Sequence, residues 1–96
     1  MKVAVVGGKL QGVEVCYLAK KANWTVHLFD KNENVPACGL ADNFFKVNVF
    51  TSQFSRLIGQ YDLIIPALEN YEALVELDFL AKKRIFRFFL ILMLIK

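Results

Sequence analysis

Four apolar residues in a row, Val3-Ala4-Val5-Val6, end directly in Gly7-Gly8, with a helical periodicity close behind. A strand with no polar residue on either side is one buried on both faces, as in parallel sheets. That feature narrows the chain to α/β folds, where helices cover each face. From about Gly12 to Ala22, Val15, Leu18, Ala19 and Ala22 recur at helical spacing, which predicts a helix with that face inward. Lys20 and Lys21 suit the dipole of its last turn, and Asn23 suits its end. Thr25–Asp30 reads as a second strand, residues 31–43 as a polar loop with Pro36 and Gly39, and Phe45–Phe50 as a third strand. Thr51 or Ser52 caps a short helix carrying Phe54, Leu57 and Ile58, stopped by Gly59. Leu63–Pro66 is a fourth strand. Asn70 then caps a helix with Leu74, Leu77 and Ala81 inward and Glu72 and Glu76 opposite. Strands separated by helices pair in parallel through right-handed crossovers, so the expected fold class is a Rossmann-like α/β sheet flanked by helices.

At 96 residues there is room for one such domain, placed at residues 1–83, with an atypical tail at 84–96. The formal charge of +3 misleads, because Lys82, Lys83, Arg84, Arg87 and Lys96 face no acid within residues 81–96. Residues 1–80 hold seven basic and nine acidic groups, so no nucleic-acid partner is expected. The apolar run 85–95 is neither amphipathic nor alternating, and it is shorter than the ~20 residues a bilayer span requires. A buried final strand or an association segment fits it; the preferred reading is truncation or a frame shift near residue 81. No basic-then-apolar leader opens the chain, so a cytoplasmic protein without a membrane is expected. Cys16, Cys38 and the single His27 exclude a disulfide framework and a multi-histidine metal site. His27 is read as a packed core imidazole, Cys16 as a small hydrophobe and Cys38 as a free loop thiol.

The chemistry concentrates at strand ends. Gly7-Gly8-Lys9-Leu10-Gln11-Gly12 has lysine where a dinucleotide fingerprint needs glycine, and Val13-Glu14 where a P-loop needs lysine and a hydroxyl. What remains is a glycine-lined turn at a helix start, which suits an anion and equally suits close helix–sheet packing. Asp30 lies 23 positions after Gly7, where dinucleotide folds receive a ribose hydroxyl and where ordinary strands also end in an acid. Asn48 and Val49 close the third strand at the same end of the sheet. Glu69 and Asn70 follow the fourth; capping accounts for Asn70, and Glu69 suits a ligand amine.

The Gly7–Gly12 turn, Glu14, Tyr17-Leu18, Lys20-Lys21-Ala22 and Asp30-Lys31-Asn32 together resemble the amino-terminal domain of the pyrrolysine-biosynthesis ligases, members of the ATP-grasp superfamily. Asp42 with Phe44, and Pro66 with Glu69-Asn70, continue the likeness over roughly residues 1–80. The resemblance implies an ATP-dependent ligase that joins methylornithine to L-lysine, with no catalytic or metal residue in this portion. It implies ATP as cofactor and Mg2+ held by the nucleotide-clasping part, which does not follow residue 81. Position by position, it assigns Lys9, Asp30, Asn48 and Val49 to the nucleotide. It assigns Leu10, Gln11 and Glu69 to the lysine substrate. Asn48 departs from the family, which tends to carry aspartate there. On this reading the 96-residue chain is inactive alone. One alternative is the NAD(P)-binding domain of an oxidoreductase or regulatory protein, favoured by Asp30 and opposed by Lys9; a second is a non-catalytic partner protein that associates through its apolar tail.

Overall fold

The computed structural model describes residues 1–68 and 70–84. Four strands, β1 (Lys2–Val6), β2 (Thr25–Asp30), β3 (Asn43–Lys46) and β4 (Leu63–Pro66), form one sheet in the order β3-β2-β1-β4. Each pairing is parallel, with Val6 opposite Phe29 and Pro66, and Asp30 opposite Lys46. The helices are α1 (Leu10–Lys21), α2 (Ser52–Ile58) and α3 (Tyr71–Arg84), with a 3-10 turn at Pro36–Leu40. The Rossmann-like parallel sheet read from the alternation is the fold observed.

Strand alternation sorts the core into two layers. Val3 and Val5 point with Val26 and Leu28 toward α1, where Cys16, Ala19 and Ala37 complete the packing. Ala4 and Val6 point with Phe29 toward Phe54, Ile58, Tyr61 and Leu77 of the other layer. Phe29 is fully buried there, stacked on Phe45 at 5.0 Å and meeting Phe54 and Tyr61 edge-on, both at 5.6 Å between ring centroids. Such offset and edge contacts add to the burial itself.

Three expectations need correcting. The first helix starts at Leu10 rather than Gly12, and its buried face is Gly12, Cys16 and Ala19; Leu18 is 64% exposed. Gly12 decides this, because a Cβ there would collide with the carbonyl oxygen of Gly7. Small residues bring the helix against the turn, and Leu18 is left outside. In α3 the buried face is Ala73, Leu77 and Leu80, with Leu74 half-buried. The third strand spans Asn43–Lys46, not Phe45–Phe50. The chain leaves the sheet because Asn48 folds it into a turn, its Oδ1 accepting from Phe50 N at 2.9 Å and its carbonyl from Thr51 N at 3.1 Å. Asn48 and Val49 therefore stand in the loop after β3.

Local signals hold elsewhere. Asn23 has a φ of 64°, the left-handed conformation in which helices end. Thr51 Oγ1 accepts from Phe54 N at 3.3 Å, and Asn70 Oδ1 accepts from Ala73 N at 2.9 Å, capping α2 and α3. His27 is half-buried, with Nδ1 2.7 Å from the Tyr61 hydroxyl. Burial pushes the Tyr61 hydroxyl up to about 12, so it stays protonated. Both cysteines are free thiols, Cys16 buried and Cys38 half-buried. The expectations for residues 85–96 and for Glu69 lie outside the described residues. Among the described residues no helix is long and apolar enough to cross a membrane.

Candidate functional site

The chain runs outward from β1 through β2 to β3, then returns to place β4 on the other side of β1. Loops after β1 and β4 thus part in opposite directions, and open α/β sheets collect ligands in the crevice this leaves. A cleft of about 710 Å³ opens at that position, within the range of small-ligand sites. Its floor includes Val6 and Phe29, and its walls come from all four loops at the carboxyl ends of the strands.

The first wall is the glycine turn. Gly7 has a φ of +112°, and a Cβ on it would strike the Ala67 carbonyl, so glycine alone lets the loops after β1 and β4 approach this closely. Gly7 N donates to Phe29 O at 2.8 Å and Gly8 N to Asp30 Oδ2 at 2.8 Å. Gly8 O in turn accepts from Ala37 N at 2.9 Å. Lys9 follows as the residue before α1 and gives the helix no side-chain cap, unlike Thr51 and Asn70 at the other two helices. Lys9, Leu10 and Gln11 line the cleft, and Leu10 is 75% exposed.

Asp30 spans the second wall. Its Oδ1 accepts from Asn32 N at 2.9 Å while Oδ2 holds Gly8, so one carboxylate ties the end of β2 to the glycine turn. Asn48 and Val49 form the third wall; Val49 is 9% exposed, and the Asn48 oxygen is committed to Phe50. The amide group left to Asn48 is a donor. Asn70, on the fourth wall, commits its Oδ1 to Ala73 in the same way.

Of the seven residues singled out from the sequence, Lys9, Leu10, Gln11, Asp30, Asn48 and Val49 all line this cleft. Glu69 is outside the described residues; Leu68 and Asn70 on either side of it line the cleft. Glu14, Lys31, Asn32 and Phe50 also face it and carried no site assignment. Glu14 stands one turn after Leu10, and Lys31-Asn32 directly follow a strand end. Those positions were the available signal. The donor set, Lys9 and Lys31 with the Asn48 and Asn70 amides and the uncapped start of α1, fits the phosphates of a nucleotide. Among the described residues no three His, Cys, Asp or Glu side chains are grouped to hold a metal ion.

A parallel sheet with a glycine-turn cleft at its switch point defines a Rossmann-like ligand-binding domain. Known structures share the fold. N5-Carboxyaminoimidazole synthetase from Staphylococcus aureus superimposes with a TM-score of 0.78 at 24% identity, over 91% of this chain and 23% of that one. The same enzyme complexed with ADP gives 0.77. A family model described as PylC-like, N-terminal domain, matches residues 3–87, and the chain belongs to that family. The 3-methyl-D-ornithine–L-lysine ligase of Methanosarcina mazei is 36% identical over 84 residues, which is 84% of this chain and 22% of that protein. Its counterpart in Methanosarcina barkeri is 35% identical over 83 residues. The chain spans between a fifth and a quarter of the length of these relatives.

Proposed function

We propose that the chain is the N-terminal portion of an ATP-dependent ligase joining methylornithine to L-lysine through an amide bond. Lys9, Asp30, Asn48 and Val49 serve the nucleotide; Leu10, Gln11 and Glu69 serve the lysine substrate, with the Glu69 carboxylate matched to an ammonium group. The observation that supports this reading is the gathering of six of these residues around one cleft in a chain of this family. When bound, ATP supplies the phosphoryl group that activates a carboxylate for displacement by an amine. The Lys9 ammonium neutralises phosphate charge, and the donors of Asn48 and of the α1 start orient it. The buried floor of Val6 and Phe29 keeps water from one side of the ligand. Mg2+ belongs with the remainder of the ligase, and the 96-residue chain alone is inactive.

Thermal unfolding of the chain with ATP, ADP, NAD and L-lysine, each added separately, tests the reading. Adenosine phosphates raise the melting temperature more than NAD does, since stabilisation follows occupancy. A shift with NAD and none with ATP replaces the ligase reading with that of an oxidoreductase or regulatory NAD(P) domain.

A further inference from the structure

We infer that Asp30 is a positioning residue. Its carboxylate fixes the Gly7-Gly8 turn, and with it Lys9 and the start of α1, instead of taking a ligand hydroxyl. The inference rests on the nucleotide reading above and changes what Asp30 does within it.

The strand register sets up the contact. Val6 lies opposite Phe29, so the residues just beyond them, Gly7-Gly8 on one strand and Asp30 on the other, meet where β1 and β2 end. Both oxygens of the half-buried Asp30 carry backbone donors, Gly8 N at 2.8 Å and Asn32 N at 2.9 Å. A bond from an amide to a carboxylate is about twice as strong as one between neutral groups. Gly8 is held again through its carbonyl oxygen by Ala37 N at 2.9 Å, so the loop after β2 fixes the peptide groups on both sides of this residue. Lys9 is the next residue, and no side chain of its own caps α1. Release of Gly8 therefore shifts the ammonium and the helix start that face the phosphates. Both bonds made by this carboxylate hold backbone, and a ribose hydroxyl would have to take the second lone pair of an oxygen already engaged by the turn or by Asn32.

The test is titration calorimetry on the 96-residue chain with adenosine, ADP and inorganic tripolyphosphate. Asp30→Ala weakens ADP and tripolyphosphate by the same factor, about ten- to a hundredfold, the size of a lost charge-assisted hydrogen bond, and leaves adenosine unchanged. Weakening of ADP and adenosine with tripolyphosphate spared makes Asp30 a ribose ligand and overturns the inference. Asp30→Asn, which keeps the shape and one acceptor, is the second variant should alanine not fold, and gives the same pattern at smaller size. Asp42→Asn is the control for a merely structural role, since Asp42 also bonds backbone but far from the cleft; an equal loss of tripolyphosphate affinity there overturns positioning. Amide exchange by NMR is independent of any ligand. Gly8 N exchanges faster in the Asp30 variant while Val13 N, bonded to Lys9 O at 2.9 Å, does not. Unchanged Gly8 exchange overturns the inference even if the wild type binds no nucleotide, a failure that belongs to the ligase reading alone.

Discussion

The two ends of the sheet use the same chemistry for different purposes. At the amino end, Asp42 and Asp62 each close a reciprocal pair with the start of a strand. Asp42 N donates to Val26 O at 2.8 Å, and Val26 N to Asp42 Oδ2 at 2.7 Å. Asp62 N donates to Lys2 O, and Lys2 N to Asp62 Oδ2, both at 2.9 Å. Cations finish this end: Lys20 Nζ bonds Asp42 Oδ1 at 2.6 Å, and Lys2 Nζ lies 5.1 Å from the Tyr61 ring centre. At the carboxyl end, Asp30 also holds backbone amides, but what lies beyond it is an open cleft rimmed by Lys9, Lys31 and amide donors. One end is closed upon itself, and the other is held rigid while its donors face outward. Binding loops on a braced scaffold are the general pattern. Here a single residue type does the bracing at both ends.

The largest expected effect tests whether the cleft end carries stability as well. Gly12→Ala forces a methyl against the Gly7 carbonyl, and overpacking of this kind costs about 1–3 kcal/mol. Urea unfolding measures it; a loss below about 0.5 kcal/mol, the ordinary surface range, breaks the picture of α1 pressed on the turn. Next in size is the amino-end brace. Asp42→Asn lowers stability by about 1 kcal/mol and leaves the shift in melting temperature caused by ADP unchanged. It also alters the acid limb. Hydrogen bonds from Lys20 and Val26 hold the Asp42 carboxyl below its ordinary value. The stability it contributes is complete above the unfolded value of about 3.9 and is lost as pH falls through the lower folded one, so the variant flattens that limb. An ADP shift that disappears in Asp42→Asn would couple the two ends and end the distinction.

The smallest effect belongs to His27. Burial first, then the nearby Lys2, lowers its proton affinity, and Asp42 opposes them weakly. The unfolded chain takes the proton first, at about pH 6.5, so stability falls as pH drops through that value toward the lower folded one. Melting temperatures between pH 7.5 and 5 show the decline, and His27→Gln removes it. An unchanged slope in the variant assigns the decline to another group.

The sheet was legible because β1 and β4 are apolar runs and two of the three helices announce their caps, at Thr51 and Asn70. The errors came where tertiary contact outranks periodicity. Leu18 fits a helical stripe, yet Gly12 and Ala19 decide which face of α1 meets the sheet. Val47 and Val49 alternate like a strand, yet Val47 N makes the last bond to β2, at Asp30 O, and Asn48 then turns the chain. The cleft residues stood out because they sit at strand ends. The partner of Asp30 did not, since Gly8 is 22 positions away in sequence and only the β1–β2 register brings the two together. The 3-10 turn hid inside a polar loop, marked by Pro36 and by the buried Val35 and Ala37.

The two free thiols differ in a way that turns the fold into its own reporter. Cys16 is sealed against β1 and its thiol is pushed up to about 11 by burial, so it contributes almost no thiolate near neutral pH. Cys38 is half-buried in the 3-10 turn, next to Ala37, whose amide holds Gly8. A maleimide dye added to the native chain therefore marks Cys38 alone, with no engineered cysteine. Its emission reads any movement of the glycine turn from one residue away in the loop that grips it.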